Sequence, residues 1–194
     1  MQLEVAGMSC GDCAKNASAA LLKIRGVTGA TVDFGSKRAE VTASRDVAQA
    51  EIRKALAGIG MEARFPGETA PPALTDEERA RLDIRIASHG EAFDVTRELA
   101  RGKVTLFDFR ADWCGPCQLV TPKLEQLVKN DGGVALRIID ISNWDSAAGK
   151  QATKEFHLPA LPYVRVYGPG GKFMGEVVGN DVDKVRALIA KARR

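Results

Sequence analysis

The stretch Pro66-Gly67-Glu68-Thr69-Ala70-Pro71-Pro72-Ala73-Leu74 carries three prolines and a glycine, and it divides the chain. Proline lacks the backbone donor that a helix interior or a central strand needs, so neither element can run through it. The stretch reads as an extended, semi-rigid spacer reaching roughly 28 Å at ~3.1 Å per residue. At 194 residues the chain has room for a separate core on each side. The expected organisation is a first domain over 1–65, a spacer over 66–74 and a second domain over 75–194.

Ahead of the spacer, strands and helices alternate. Gln2–Val5 reads as a short strand and Cys13–Leu22 as a helix with apolar residues at Ala17, Leu21 and Leu22. Gly26–Asp33 and Arg38–Thr42 read as strands about a Gly35-Ser36 turn. Asp46 is the expected cap of a second helix running through Ala57, and Met61–Phe65 closes as a strand. The order βαββαβ is that of a ferredoxin-like split βαβ sandwich, an α+β fold.

Beyond the spacer, Thr75-Asp76-Glu77-Glu78 has the pattern of a capping box opening a short helix. Ile84 and Ile86 alternate with polar neighbours as in a strand. Lys103–Phe109 is a strongly apolar strand feeding a helix over Cys114–Asn130. Val134–Ile141 follows as a second central strand and Ala147–Phe156 as a helix. Tyr163–Tyr167 and Lys172–Val178 make a hairpin about Gly168-Pro169-Gly170-Gly171, and Asp181–Ala192 is the closing helix. This mixture predicts an α/β layer with helices on both faces of its sheet.

Composition narrows the function classes. The net charge of +3 forms no basic stripe with interleaved aromatics, which argues against nucleic-acid binding. No apolar run approaches the roughly 18 residues of a membrane span. Met1-Gln2-Leu3-Glu4-Val5 is polar where a secretory signal would be apolar, so the expected location is cytoplasmic, or periplasmic if a leader has been removed. In a reducing compartment, paired cysteines point to metal binding or redox catalysis rather than structural disulfides.

All four cysteines sit in two Cys-x-x-Cys pairs, Cys10/Cys13 and Cys114/Cys117. That spacing serves soft-metal ligation and thiol–disulfide exchange alike, and the flanks tell the two apart. Cys10 and Cys13 straddle a loop-to-helix joint, where the positive end of the helix stabilises thiolate. Two thiolates on one loop can approach an ion from opposite sides, which suits near-linear Cu(I). Zinc would ask for four ligands, and no nearby His or further Cys completes the set.

Gly7-Met8-Ser9-Cys10-Gly11-Asp12-Cys13, with the βαββαβ order, resembles the heavy-metal-associated domain of copper chaperones, copper-ATPase modules and mercury-binding proteins. The resemblance covers Met1–Phe65. It implies that Cys10 and Cys13 ligate the metal and that Met8 packs inward. Cu(I) is the expected ion, Hg, Zn and Cd are the other thiophilic candidates, and no organic cofactor is expected. Gly60-Met61 stands where many members place an aromatic or a lysine facing the metal; Met61 is expected to shield the site, pack beneath it or lend a weak thioether contact.

Trp113-Cys114-Gly115-Pro116-Cys117 follows the apolar strand and opens the next helix. Cys114, at a solvent-exposed helix end, is expected to attack as thiolate. Cys117, one turn on, is expected to be buried and to resolve the mixed disulfide. Pro116 is allowed because early helix positions need no backbone donor.

These five residues resemble the active site of thioredoxin, and the likeness extends over roughly Asp83–Arg194. It places Asp108 where the family keeps a buried acid beneath the resolving cysteine. Burial would raise that carboxyl's pKa and let it relay a proton to or from Cys117. Ala160-Leu161-Pro162-Tyr163 matches the family's cis-proline turn, implying a cis Pro162 with Leu161 and Pro162 facing the site. Gly179 matches the glycine of the client-facing surface. Two residues depart from the pattern. Arg110 replaces a common aromatic and is expected to favour thiolate at Cys114, and Tyr163 replaces the usual threonine and is expected to narrow the client groove. His89 and His157 are expected to be solvent-facing or hydrogen-bonded, and Trp144 to flank the groove or pack.

Together these features predict a thioredoxin-like oxidoreductase, a protein disulfide reductase by its Gly-Pro dipeptide, carrying a Cu(I)-type domain whose cysteines are its internal client. Expected partners are a disulfide-bonded protein, Cys10/Cys13 of the same chain included, an electron donor such as a thioredoxin reductase, and a metal-transport protein. Two alternatives use the same residues. One is a metallochaperone or metal buffer with a redox-gating thioredoxin domain, and the other a reductase tethered by the metal domain to copper- or mercury-handling clients.

Overall fold

The computed structural model describes residues 1–194, which form two compact units, Met1–Ala70 and Pro71–Arg194. In the first, β1 (Gln2–Ala6), α1 (Gly11–Leu22), β2 (Val27–Asp33), β3 (Arg38–Ala43), α2 (Gln49–Ala57) and β4 (Glu62–Arg64) follow the ferredoxin-like order. The strands make one antiparallel sheet ordered β2-β3-β1-β4. Alternation turns Leu3, Val5, Ala39 and Val41 inward, where they pack with Ala17 and Leu21 of α1 and Ile52 and Leu56 of α2. The expected Asp46 cap is not made: Ala48 leads into α2 with no side-chain cap. Val47 is buried in the core, so the chain turns inward there and leaves Asp46 short of the helix, its carbonyl accepting from Arg45 Nη1 at 2.8 Å.

The second unit comprises α3 (Asp76–Ala80), β5 (Ile84–His89), α4 (Val95–Glu98), β6 (Val104–Arg110), α5 (Cys117–Asn130), β7 (Val134–Asp140), α6 (Ala147–Lys154), β8 (Tyr163–Tyr167), β9 (Phe173–Val178) and α7 (Val182–Ala192). Its sheet is ordered β5-β7-β6-β8-β9, with β5, β7 and β6 parallel and β8 and β9 antiparallel to their neighbours. Both faces are covered. Leu106 of β6 packs with Leu124 and Val128 of α5 and with Val185 and Ile189 of α7, while Phe107 and Phe109 pack with Ala148 and Ala152 of α6. Because strand residues alternate, Asp108 must face α5 and its two phenylalanine neighbours must face α6.

Three expectations change here. Ile86 is 54% exposed, because the pairing of edge strand β5 slips between Ile86 and Ser88 and turns Ser88 inward instead. α5 begins at Cys117, three residues later than expected. The residues before it close tighter i→i+3 bonds, from Cys117 N–H to Cys114 O at 3.1 Å and from Gln118 N–H to Gly115 O at 3.2 Å. The expected spacer is tied down at both ends. Glu68 accepts from the Phe65 amide at 2.9 Å in the first unit, while Pro72 O accepts from Gln126 Nε2 at 2.8 Å and Leu74 is buried in the second. The Thr75 capping box forms as expected, with both reciprocal bonds to Glu78.

Candidate functional site

Cys114 and Cys117 are joined by a disulfide with their Cα atoms 5.3 Å apart, in the turn between β6 and α5. Pro116 is the residue ahead of the first helical position. The Cys117 N–H points at Cys114 Sγ, 3.2 Å away, a donor that stabilises negative charge on that sulfur once the bond is broken. Cys114 is less exposed than expected, at 5%, because its sulfur is bonded to Cys117 and packs in the cluster of Phe109, Ala111 and Ile141. Cys117, at 0%, is sealed off. Any partner sulfur must therefore approach Cys114.

Asp108 is fully buried, and its Oδ2 accepts from the Thr121 hydroxyl at 2.6 Å while Oδ1 has no partner. Burial pushes its pKa up to about 6, opposed by the Thr121 hydrogen bond and the Arg110 charge and reinforced by Glu125. Thr121 lies one helical turn beyond Cys117, so the carboxyl stands beside the helix face that carries the resolving sulfur. Sequence reasoning did not single out Thr121. The available signal was a hydroxyl four residues after Cys117, on the same face of the helix.

The Leu161–Pro162 bond is cis, and Leu161 packs against the cluster containing both redox cysteines. Gly179, at φ +86°, donates its N–H to Pro162 O at 2.8 Å and so fixes the back of that turn. Trp113 is half-exposed, and its indole N–H donates to Ser142 O at 2.7 Å. Trp144 lies beside it, with ring centroids 6.1 Å apart, on a loop seated over Gly149. A Cβ at Gly149 would come within 2.4 Å of the Asn143 carbonyl oxygen, so glycine permits that seating.

Tyr163 does not narrow a groove. Register pairs it with Phe109, so it falls on the aromatic face of the sheet, fully buried, with the two rings edge-on at 5.5 Å. Its hydroxyl donates to Glu176, and burial followed by that carboxylate pushes the phenol up to about 12. Arg110 spends its charge locally: Nη2 is bonded to Asp112 Oδ1 at 2.9 Å, and its field reaches Asp108. His89 is exposed with Nδ1 4.0 Å from Asp140 Oδ2, and His157 is an exposed turn residue at φ +50°.

Cys10 and Cys13 are free thiols with sulfurs 2.9 Å apart. Cys10 is exposed at the N-cap of α1, and Cys13 lies in its first turn, so the helix starts two residues earlier than expected. Burial raises the Cys13 pKa, but hydrogen bonds from the Cys10 thiol and from Ser9 outweigh it and the net shift is downward. Met8 and Met61 are both buried in the core of this unit. No cluster of three or more Cys, His, Asp or Glu forms anywhere in the chain. Two convergent sulfurs without a third donor fit a soft, low-coordinate ion and leave a tetrahedral zinc site incomplete.

The model of the heavy-metal-associated domain matches residues 2–62, and that of thioredoxin matches residues 87–191. The mitochondrial thioredoxin-2 of Schizosaccharomyces pombe is 31% identical over 109 residues, covering 56% of this chain and 77% of that protein. Thioredoxin-T of Drosophila melanogaster is 35% identical over 95 residues, covering 48% of this chain and 56% of that protein. Among solved structures, a CopZ metallochaperone is 33% identical over 32% of this chain and 96% of its own, with a TM-score of 0.31. The chain belongs to the thioredoxin family, as a thiol–disulfide oxidoreductase that carries a heavy-metal-associated domain ahead of its redox domain.

Proposed function

We propose that this chain is a disulfide reductase whose own metal-binding thiols, Cys10 and Cys13, are its client, with Cu(I) as the cargo those thiols hold. What supports the reading is one pairing of features: an exchange-ready Cys114–Cys117 pair with a buried acid of raised pKa on the facing strand, and a second Cys-x-x-Cys pair that is free and close enough to oxidise. A Cys10–Cys13 disulfide cannot ligate a soft ion, so the cargo site is lost on oxidation and regained on reduction. Tethering places client and reductase at roughly millimolar effective concentration.

The exchange proceeds in two steps. Cys114 thiolate attacks one client sulfur, the client disulfide breaks, and its other sulfur leaves as thiolate. Asp108 then takes the proton of Cys117, whose thiolate attacks Cys114 Sγ and releases the second client thiolate. The client gains two electrons as two thiolates, Asp108 gives up its proton to water or to one of them, any further proton comes from water, and the chain is left with the Cys114–Cys117 disulfide. A dithiol electron donor of the thioredoxin-reductase class returns it to the dithiol, and an acceptor with soft ligands, such as a metal-transport protein, takes the ion.

The test uses a Cys117→Ser chain with Cys10–Cys13 pre-oxidised, followed by non-reducing peptide mapping. The expected product is a disulfide from Cys114 to Cys10 or Cys13 at a yield independent of dilution. An intact Cys10–Cys13 bridge with free Cys114 would sink the internal-client reading and favour a metallochaperone with an independent redox domain.

For the cargo, the reduced chain should bind one equivalent of Cu(I) in competition with a chromogenic chelator. The Cys10→Ser/Cys13→Ser chain and the pre-oxidised wild type should both bind none. The Cys114→Ser/Cys117→Ser chain should bind as the wild type does.

A further inference from the structure

Helix α5 carries polar side chains at Cys117, Thr121 and Glu125, spaced i, i+4 and i+8 and so aligned on one face. All three are buried. Thr121 donates to Asp108 at 2.6 Å. Glu125 is held in a fork by Arg79, Nε to Oε1 at 2.9 Å and Nη2 to Oε2 at 3.3 Å. Arg79 belongs to α3, which lies ahead of the residues matched by the thioredoxin model. A buried carboxylate is costly unless paired, and Arg79 is the cation that pairs this one.

α3 is fastened for that purpose. Lys129 on α5 donates to Glu78 at 2.7 Å, the capping box closes its first turn, and Leu74 is buried just before it. The remaining surroundings of Asp108 are few. Arg110 lies on its own strand and is shared with Asp112, and the residues opposite it on β7 and β8 are Ile138 and Val164. The charged groups that act directly on Asp108 are therefore Arg110 and Glu125, and Arg79 acts through its fork on Glu125.

We propose that Thr121, Glu125 and Arg79 are positioning residues for the exchange at Cys117, forming a buried polar stripe down α5 that sets how readily Asp108 takes and returns a proton. The thioredoxin domain is thus completed by the segment that joins it to the spacer. Thr121 favours the ionised acid by donating to it. Glu125 opposes ionisation by like charge, and Arg79 limits that opposition. The inference rests on the reading of Asp108 as the acid behind Cys117.

The test follows the Asp108 carboxyl carbon by 13C NMR against pH in the full chain, its signal identified by its loss in Asp108→Asn. In parallel, the rate of reduction of Cys114–Cys117 by dithiothreitol is measured from pH 5 to 9. Neither readout needs the metal, the client or an enzymatic donor. The wild-type midpoint is expected at about 6. Arg79→Gln should raise it and Glu125→Gln should lower it, each by a few tenths of a pH unit, less than the rise from Thr121→Val. The double variant should return close to the wild type. Thr121→Val should raise the midpoint, and Thr121→Ser should restore it, with the inflection in rate moving alongside.

Unmoved midpoints, or Arg79→Gln and Glu125→Gln shifting the same way as a general loss of packing would, overturn the stripe. If Asp108→Asn removes the rate inflection while the three positions leave it in place, the stripe fails and the role of Asp108 stands. If Asp108→Asn leaves the inflection, that role fails and the stripe with it.

Discussion

Between pH 3.5 and pH 8, the stability of an Asp108→Asn chain relative to the wild type will move by about 3 kcal/mol in the variant's favour. Burial holds the Asp108 carboxyl at about 6 in the folded chain, against 3.8 for a free aspartate side chain. Each unit of difference is worth ~1.36 kcal/mol. The sign follows from which form the fold prefers. A raised pKa means the folded chain binds the proton more tightly than the unfolded one, so the contribution is fully present below about pH 3.8 and lost as pH rises through 6. Above that, the wild type carries a buried carboxylate with one hydrogen bond and an unpartnered Oδ1, and the asparagine carries no charge. Any fixed cost of the new amide cancels in the comparison across pH.

Urea unfolding followed by tryptophan emission will measure this, because both tryptophans, Trp113 and Trp144, lie in the second unit. Parallel curves for the two chains across this range would refute the placement of the carboxyl. The same variant will slow disulfide exchange at pH 7 by about a hundredfold, the lower end of the range for removing a positioned acid–base group. Stability bought at the expense of turnover is the expected signature of a buried acid kept for chemistry.

The second large effect comes from the cysteines themselves. Cys114→Ser will lose disulfide reduction to background, at least about a thousandfold, because a hydroxyl neither attacks sulfur nor forms the mixed disulfide. Cys117 cannot take over, since it is wholly buried and only Cys114 retains any exposure. Cys117→Ser will complete the first attack and then stall, accumulating adduct in place of product. A dithiothreitol-driven assay with a protein disulfide, read together with the mass of the trapped adduct, separates the two. Equal activity in the two single variants would mean that attack is not confined to Cys114.

Much of this arrangement could be read from the residues. The acid was legible through the resemblance to thioredoxin, which marks Asp108 in the run Val104–Phe109, and the structure buries it in a central strand with no route to water. The capping box at Thr75 and the Tyr163–Tyr167 strand were equally legible, because turn chemistry and alternation are local. Other features depended on neighbours far along the chain. The Asp46 cap failed because burial of Val47 decided the path of the backbone. Tyr163 was buried under the aromatic face and kept out of any groove because its partner in register is Phe109. Ile86 turned outward because an edge strand slipped by one residue.

By itself, then, the sequence determined the order of elements, the two thiol pairs with their distinct flanks, and the acid on β6. Each of these is set by spacing within a single element. Only the tertiary structure decided what the acid touches. Thr121 reaches it because α5 packs its polar face on β6, and Arg79 reaches Glu125 across 46 positions of chain. Spacing along the chain orients a side chain on its own helix or strand. Which group meets it there is decided by how elements distant in sequence pack around a shared core.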